Sequence, residues 1–438
     1  MTVKVIGAGL AGCEAAWQLA NAGIMVELCE MKPAKFTPAH KYKGYAELVC
    51  SNSLKAERIE SAAGLLKEEM RRLGSLTMLA AEATKVAAGG ALAVSREDFS
   101  DFVTEKINSH PNITVISGEV TEIPEGYVII ATGPLTSEPL SKSIQSLIGT
   151  DYLYFHDAAA PIVTAESLDS TLVFGASRYG RGEADYLNCP MDKEEYLRFY
   201  NELVNAETAP LHEFELEGSK DYKVYEGCMP IEALARRGED TTRFGPLKPV
   251  GLTDPRTGRR PYAVVQLRKE NNAGTLYNLV GFQTNLKFGE QKRVFSLIPG
   301  LENAEFVRYG VMHRNTYLNS PGLLDRHFCL KSDPRIYFAG QMTGVEGYIE
   351  SAASGIYAGM SLARRLLGLS EITLPNDTML GALAEYVEAG SPSGFQPMGS
   401  NMGILPELPE RIRNKQEKYA ALAKRALESL DRAILKGN

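Results

Sequence analysis

The run Gly7-Ala-Gly9-Leu-Ala-Gly12 constrains this chain more than any other feature. It lies between a short apolar strand, Val3 to Ile6, and a helical pattern from about Leu10 to Asn21. Gly23 stops that helix, and a second strand follows from Met25 to Cys29, ending in Glu30. A glycine triplet alone is a weak signal. Placed between a strand and a helix, with an acid 23 residues past Gly7, it reads as the βαβ dinucleotide fingerprint. Gly7 makes the turn, Gly9 admits a pyrophosphate to the backbone with Ala8, Leu10 and Ala11 around it, and Gly12 packs helix on strand. Glu30 is placed to accept from a ribose hydroxyl.

Two later strands also end in glycine turns: Tyr127 to Ala131, running into Thr132-Gly133-Pro134, and Ile336 to Ala339, running into Gly340-Gln341-Met342-Thr-Gly344. Helical sequence rich in small residues follows from Glu350 to Leu367. The expected fold is therefore α/β: a Rossmann-type domain assembled from both ends of the chain, residues 1–153 and 310–438, with an inserted α+β domain at 154–309 on the substrate side. From Pro406 onward the tail reads as one helix. With a single fingerprint, FAD or NAD fits the site. The late turn leading into a helix favours FAD, because a helix N-terminus facing the isoalloxazine stabilises its reduced anion.

The remaining sequence narrows the class. No basic and apolar leader precedes the first strand, and no apolar run reaches the roughly 18 residues of a membrane span. Six scattered cysteines without a C-x-x-C pair point to a reducing cytoplasm and away from disulfides or zinc, and the histidines show no ligand spacing, so no metal is expected. A net charge of −7 disfavours nucleic acid at first sight, but the charge is uneven. Arg236 to Lys269 holds nine basic residues against three acidic, and Arg411 to Lys436 eight against three. Each stretch reads either as a solvated face or as a stripe that confines an RNA to one surface. On the second reading Arg256, Arg259, Arg260 and Arg268 are the expected tRNA contacts.

Several segments, in order, resemble the folate- and FAD-dependent tRNA (uracil-5-)-methyltransferases. They are the glycine turn itself, Leu48-Val-Cys50-Ser-Asn-Ser-Leu-Lys55, Tyr225-Glu-Gly-Cys228-Met-Pro-Ile-Glu232, Phe244 to Leu252, Gly281 to Phe295, Phe338 to Tyr348, and Phe395 to Gly403. The likeness spans nearly the whole chain. It implies transfer of the methylene of 5,10-methylenetetrahydrofolate to C5 of the T-loop uridine at tRNA position 54, reduction to methyl by FADH2, and re-reduction of the flavin by NADH or NADPH. A paralogue that methylates ribosomal RNA and a noncatalytic RNA-binding flavoprotein are the alternatives. A wobble-uridine flavoprotein is expected to carry a longer helical C-terminal domain, and a disulfide oxidoreductase a paired cysteine motif. No obligatory protein partner is expected.

The implied chemistry calls for thiolates. Uracil C5 becomes nucleophilic only after addition at C6, and a thiol of ordinary pKa near 8.5 is only about 3% ionised at pH 7. By the resemblance Cys228 is that nucleophile, while Cys50 sits by the flavin and helps remove the C5 proton. Cys228 precedes Pro230 and a helical stretch from Ile231 to Arg236, and Cys50 precedes capping residues that read as a helix start. Cys13, Cys29 and Cys329 read as core. His313 and Tyr348 are the expected pterin neighbours, and Lys287, with Glu290 and Lys292, is expected near the folate tail or uracil edge.

Overall fold

A computed structural model describes residues 2–37, 39–149, 153–158, 160–180, 184–209, 229–270, 273–310, 312–390, 392 and 395–437. The chain opens with β1 (Thr2–Ile6), α1 (Leu10–Asn21) and β2 (Met25–Glu30), where β1 and β2 pair in parallel and Gly23 takes φ +83°. Three more strands join them: β3 (Ile113–Ser117), β4 (Val128–Ile130) and β5 (Ile336–Phe338). The order β5-β4-β1-β2-β3 is parallel throughout, so the sheet does draw on both ends of the chain. Its strands β4 and β5 are apolar and buried throughout, whereas the edge strand β3 is mostly exposed.

The long helix α2 (Tyr348–Leu366) lies against α1. The sequence permits this because α2 carries glycines at the crossing. A Cβ on Gly355 would stand 2.1 Å from the Ala11 carbonyl oxygen, and one on Gly359 would stand 2.7 Å from that of Ala15. Close backbone approach brings the N-termini of both helices to the same edge of the sheet.

A second, antiparallel sheet uses strands within residues 162–308, in the spatial order Phe174–Gly175, Tyr186–Met191, Ala263–Lys269, Leu276–Leu279, Ile162–Thr164 and Phe306–Arg308. The helix Lys193–Asn205, started by an Asp192–Glu195 capping box, packs Tyr196, Phe199 and Leu203 onto it and forms a core separate from the first. An antiparallel ribbon, Leu153–Ala158 with Met312–Tyr317, joins the two bodies.

Two local expectations are corrected. Ser51-Asn-Ser does not start a helix: Ser53–Ala56 is a strand, and the next helix, Ala62–Arg72, is capped by Ser61. The tail is helical only over Lys415–Gly437. No helix among the described residues is long and apolar enough to cross a membrane.

Candidate active site

One cavity of about 440 Å³ opens where the C-terminal ends of β1, β2, β4 and β5 meet the N-termini of α1 and α2. Gly7, Ala8, Gly9, Leu10, Ala11, Glu30, Thr132, Gly133, Gly340 and Gln341 all line it, which brings together residues 334 positions apart in sequence. Gly12 does not line it: its missing Cβ would lie 1.8 Å from the Gly7 carbonyl oxygen, so only glycine lets α1 approach the turn. Met342 is also off the wall. It is 1% exposed, with its sulfur 3.9 Å from Thr132 Oγ1, and its expected cofactor contact is corrected to a supporting role.

The cradle suits a dinucleotide on geometry. Nothing lies within 4 Å of where a Gly9 Cβ would stand, and no side chain caps α1, so its first N–H groups face open space. Glu30 accepts from the Ala8 N–H at 2.8 Å and the Lys32 N–H at 2.9 Å. A carboxylate has about four acceptor positions, so two remain for ribose hydroxyls.

Cys50 lines the same cavity and is half-buried, unlike the buried Cys13, Cys29, Cys189 and Cys329. Burial pushes the thiols of those four up, away from ionisation. The Tyr348 hydroxyl accepts from the Cys50 N–H at 2.7 Å and lies 2.9 Å from its sulfur. Burial, with Cys50 beside it, holds that phenol well above its ordinary range, so it stays protonated. Tyr348 thus borders the cavity while its hydroxyl is committed to the Cys50 loop.

Two arginines set this loop. Arg96 binds the Leu48 carbonyl and pairs with the buried Glu270 at 2.5 Å. Arg268 donates to Asn52 Oδ1 at 2.8 Å and Ser51 Oγ at 2.7 Å. Only 6% of Arg268 is exposed, so its expected role as a tRNA contact is corrected. It stands in the strand Ala263–Lys269, in the interior of the second sheet, and alternation turns its side chain toward the Cys50 loop. Charge counting gives no sign of that direction. Arg256 is paired with Asp254 at 3.0 Å, whereas Arg259 and Arg260 are exposed, with no ion-pair partner among the described residues.

Cys228 lies outside the described residues. The segment after it is anchored to the cavity: Ile231 N–H donates to the Gln283 carbonyl at 2.7 Å, and Gln283 lines the wall. The helix there, Ile231–Ala235, has five residues, so the dipole contribution expected at Cys228 is small. Buried Glu232 ties the two segments, accepting from Thr284 Oγ1 and the Asn285 N–H, each at 2.8 Å. Glu232→Ala strands both donors, and we expect a stability loss of about 2–4 kcal/mol with weakened RNA methylation, read by chemical denaturation and single-turnover assay. Unchanged unfolding would show that the clasp contributes nothing.

His313 lies on the ribbon strand Met312–Tyr317, and its side chain is outside the described residues. Lys287 does not line the cavity. Its ammonium is half exposed and pairs with Glu207 at 2.5 Å, so its expected folate contact is corrected, while Glu290 pairs with Arg293. Sequence reasoning missed His40, Lys55 and Gln283 on the wall; Gln283 fell within a recognised segment, but nothing distinguished it from its neighbours.

Residues 2–370 match the family model described as Glucose inhibited division protein A. The chain is 60% identical over 435 residues to Methylenetetrahydrofolate--tRNA-(uracil-5-)-methyltransferase TrmFO of Acetivibrio thermocellus, covering 99% of both chains. It is also 60% identical over 433 residues to the protein of that name from Heliobacterium modesticaldum, covering 99% of this chain and 98% of the other. Aquifex aeolicus GidA superposes with a TM-score of 0.67 at 16% identity, covering 99% of this chain and 76% of that one, which supports the fold alone.

Proposed function

Since the chain belongs to the methylenetetrahydrofolate–tRNA-(uracil-5-)-methyltransferase family, we propose the following division of labour for its site residues. The enzyme methylates uracil C5 in tRNA, with 5,10-methylenetetrahydrofolate as donor and FAD as cofactor. FAD, when bound, supplies the hydride that brings the folate-derived carbon to the methyl level. Gly7 to Ala11 receive its pyrophosphate at the α1 N-terminus and Glu30 its ribose, while Thr132, Gly133, Gly340 and Gln341 complete the wall.

The substrate is the T-loop uridine at position 54, turned out of its stack to reach the cavity. Cys228 adds through its thiolate to C6, and the electron pair released into the ring makes C5 nucleophilic. C5 takes the folate methylene as one of that carbon's bonds to nitrogen opens. Cys50, held by the Tyr348 hydroxyl, then receives the C5 proton as the carbon's remaining bond to folate nitrogen breaks. Reduction of the resulting exocyclic methylene to methyl expels the Cys228 thiolate from C6. His313 and the Tyr348 ring flank the pterin. NADH or NADPH returns the cofactor to its reduced state. Free cysteines suit the reducing cytoplasm in which this reading places the enzyme.

The observation that carries the reading is the convergence, on one cavity, of the glycine cradle with a half-buried thiol held by a phenol. Arg259 and Arg260, exposed and unpaired among the described residues, dock phosphates of the RNA. The test is single-turnover transfer of labelled methylene from the folate to a tRNA transcript and to ribosomal RNA fragments, at stepped salt. Label at the T-loop uridine is expected, with affinity falling as salt rises, and the Arg259→Ala, Arg260→Ala pair should reduce that slope. Label confined to ribosomal RNA would overturn the tRNA assignment, and an unaltered slope would overturn the docking role.

A further inference from the structure

Outside the cavity, three aromatic rings form a ladder. Phe306 stacks on Tyr309 with centroids 5.3 Å apart and planes 11° apart, and Tyr309 stacks on Phe288 at 4.9 Å and 20°. Phe306 continues inward to Phe295 of the second core, whereas Phe288 ends the series and is 55% exposed. An exposed phenylalanine alone would be ordinary. A terminal ring on an ordered stack is different, because it presents a flat apolar face where a fourth planar ring continues the series at no cost in ordering the first three.

The support is rigid. Buried Gln291, on the helix Phe288–Phe295, donates to the Gly310 carbonyl at 2.8 Å and accepts from the Gly310 N–H at 2.8 Å, pinning the Tyr309 turn to the helix that carries Phe288. Lys292 stands four residues after Phe288, on the same helix face, exposed and without an ion-pair partner among the described residues. Its neighbour Arg293 is held by Glu290 and Glu202. The patch therefore joins an open aromatic face to one uncommitted cation, the pairing that single-stranded nucleic acid meets with a base and a phosphate. It is also continuous with the site: Gln283 of the cavity wall precedes Phe288 by five residues, at most about 18 Å of chain.

We infer that Phe288, backed by Tyr309 and Phe306, is a stacking platform for an unpaired nucleobase of the substrate RNA, with Lys292 on the adjoining phosphate. The inference rests on the tRNA reading above. Turning a uridine out of a folded loop leaves neighbouring bases without stacking partners, and an aromatic face within about 18 Å of chain of the cavity wall holds one of them, offsetting part of the unstacking.

The test measures binding of the FAD-loaded full-length enzyme to a T-arm hairpin transcript with 2-aminopurine in its loop, across a salt series. Phe288→Ala is expected to bind about ten- to a hundredfold more weakly, with an unchanged salt slope and reduced quenching of the probe; Phe288→Trp restores both. Lys292→Ala lowers the slope by about one. Since Phe288 is exposed, the thermal unfolding of Phe288→Ala should match that of the wild type. Phe288→Ala binding within twofold of wild type, or losing affinity through the slope alone, overturns the platform and leaves the tRNA reading standing. A wild-type enzyme that binds no transcript overturns both. A shift from dimer to monomer in Phe288→Ala with RNA affinity retained assigns the face to a second copy and also overturns it.

Discussion

Cys228→Ala is expected to abolish methyl transfer, by about a thousandfold or more, while leaving the yellow chromophore bound. Without a thiolate at C6 the pyrimidine C5 is too weak a nucleophile to take the one-carbon unit, and an alanine methyl cannot substitute. Cys50→Ala acts later. Losing the proton acceptor costs about 10²–10⁴ in rate, but the adduct between Cys228 and the RNA still forms. The two roles separate with a transcript carrying 5-fluorouridine, which has no C5 proton to lose. Wild type and Cys50→Ala are expected to give a denaturation-stable protein–RNA band, and Cys228→Ala none. Full turnover in either variant removes that cysteine from the reaction, and a band from Cys228→Ala moves the nucleophile elsewhere. Tyr348 bears on the second role because its hydroxyl sits 2.9 Å from the Cys50 sulfur and stays protonated, so it steadies that sulfur in its ionised form.

The parts of this site that were legible in the sequence are those governed by backbone geometry. A strand, a glycine turn and a helix over residues 2–21 leave one way to fold, because Gly12 is the only residue type that tolerates an oxygen 1.8 Å from its would-be Cβ. The same reasoning found β4 and β5 by their glycine exits, and hence a sheet built from both ends. What escaped depends on contacts across the fold. The setting of Cys50 is made by Tyr348, 298 positions away, and by Arg96 and Arg268, none of which a local reading connects to it. Ser51-Asn-Ser carries the residues of a helix cap, yet Asn52 is spent on the Val94 and Lys269 carbonyls, which draws the chain into a strand instead. Arg268 counted as part of a basic stripe, and only the alternation of a paired strand turns it inward.

Gly355→Ala and Gly9→Ala should part fold from cofactor binding, although both replace a glycine at the cradle with the smallest side chain. A Cβ at residue 355 would lie 2.1 Å from the Ala11 carbonyl, backbone of α1 that cannot swing aside. The helices must separate, at an expected cost of about 3 kcal/mol. The displacement passes straight to the site, because the neighbouring Ser354 hydroxyl accepts from the Gly340 N–H at 2.7 Å and the same helix begins at Tyr348. The variant should therefore melt lower, bind flavin poorly and lose the Cys50 contact together. At residue 9 a Cβ meets nothing within 4 Å, and the backbone φ of −76° suits alanine. There the fold should hold, with unchanged unfolding, while the methyl group occupies the space where a pyrophosphate approaches the N–H groups of α1, so flavin content drops at least tenfold. Paired measurements of thermal unfolding and of the ratio of visible to ultraviolet absorbance decide the matter. If Gly9→Ala purifies fully yellow, the open space above it is not where the dinucleotide lies; if Gly355→Ala melts as wild type, the close crossing of the two helices does not set the geometry of the cradle.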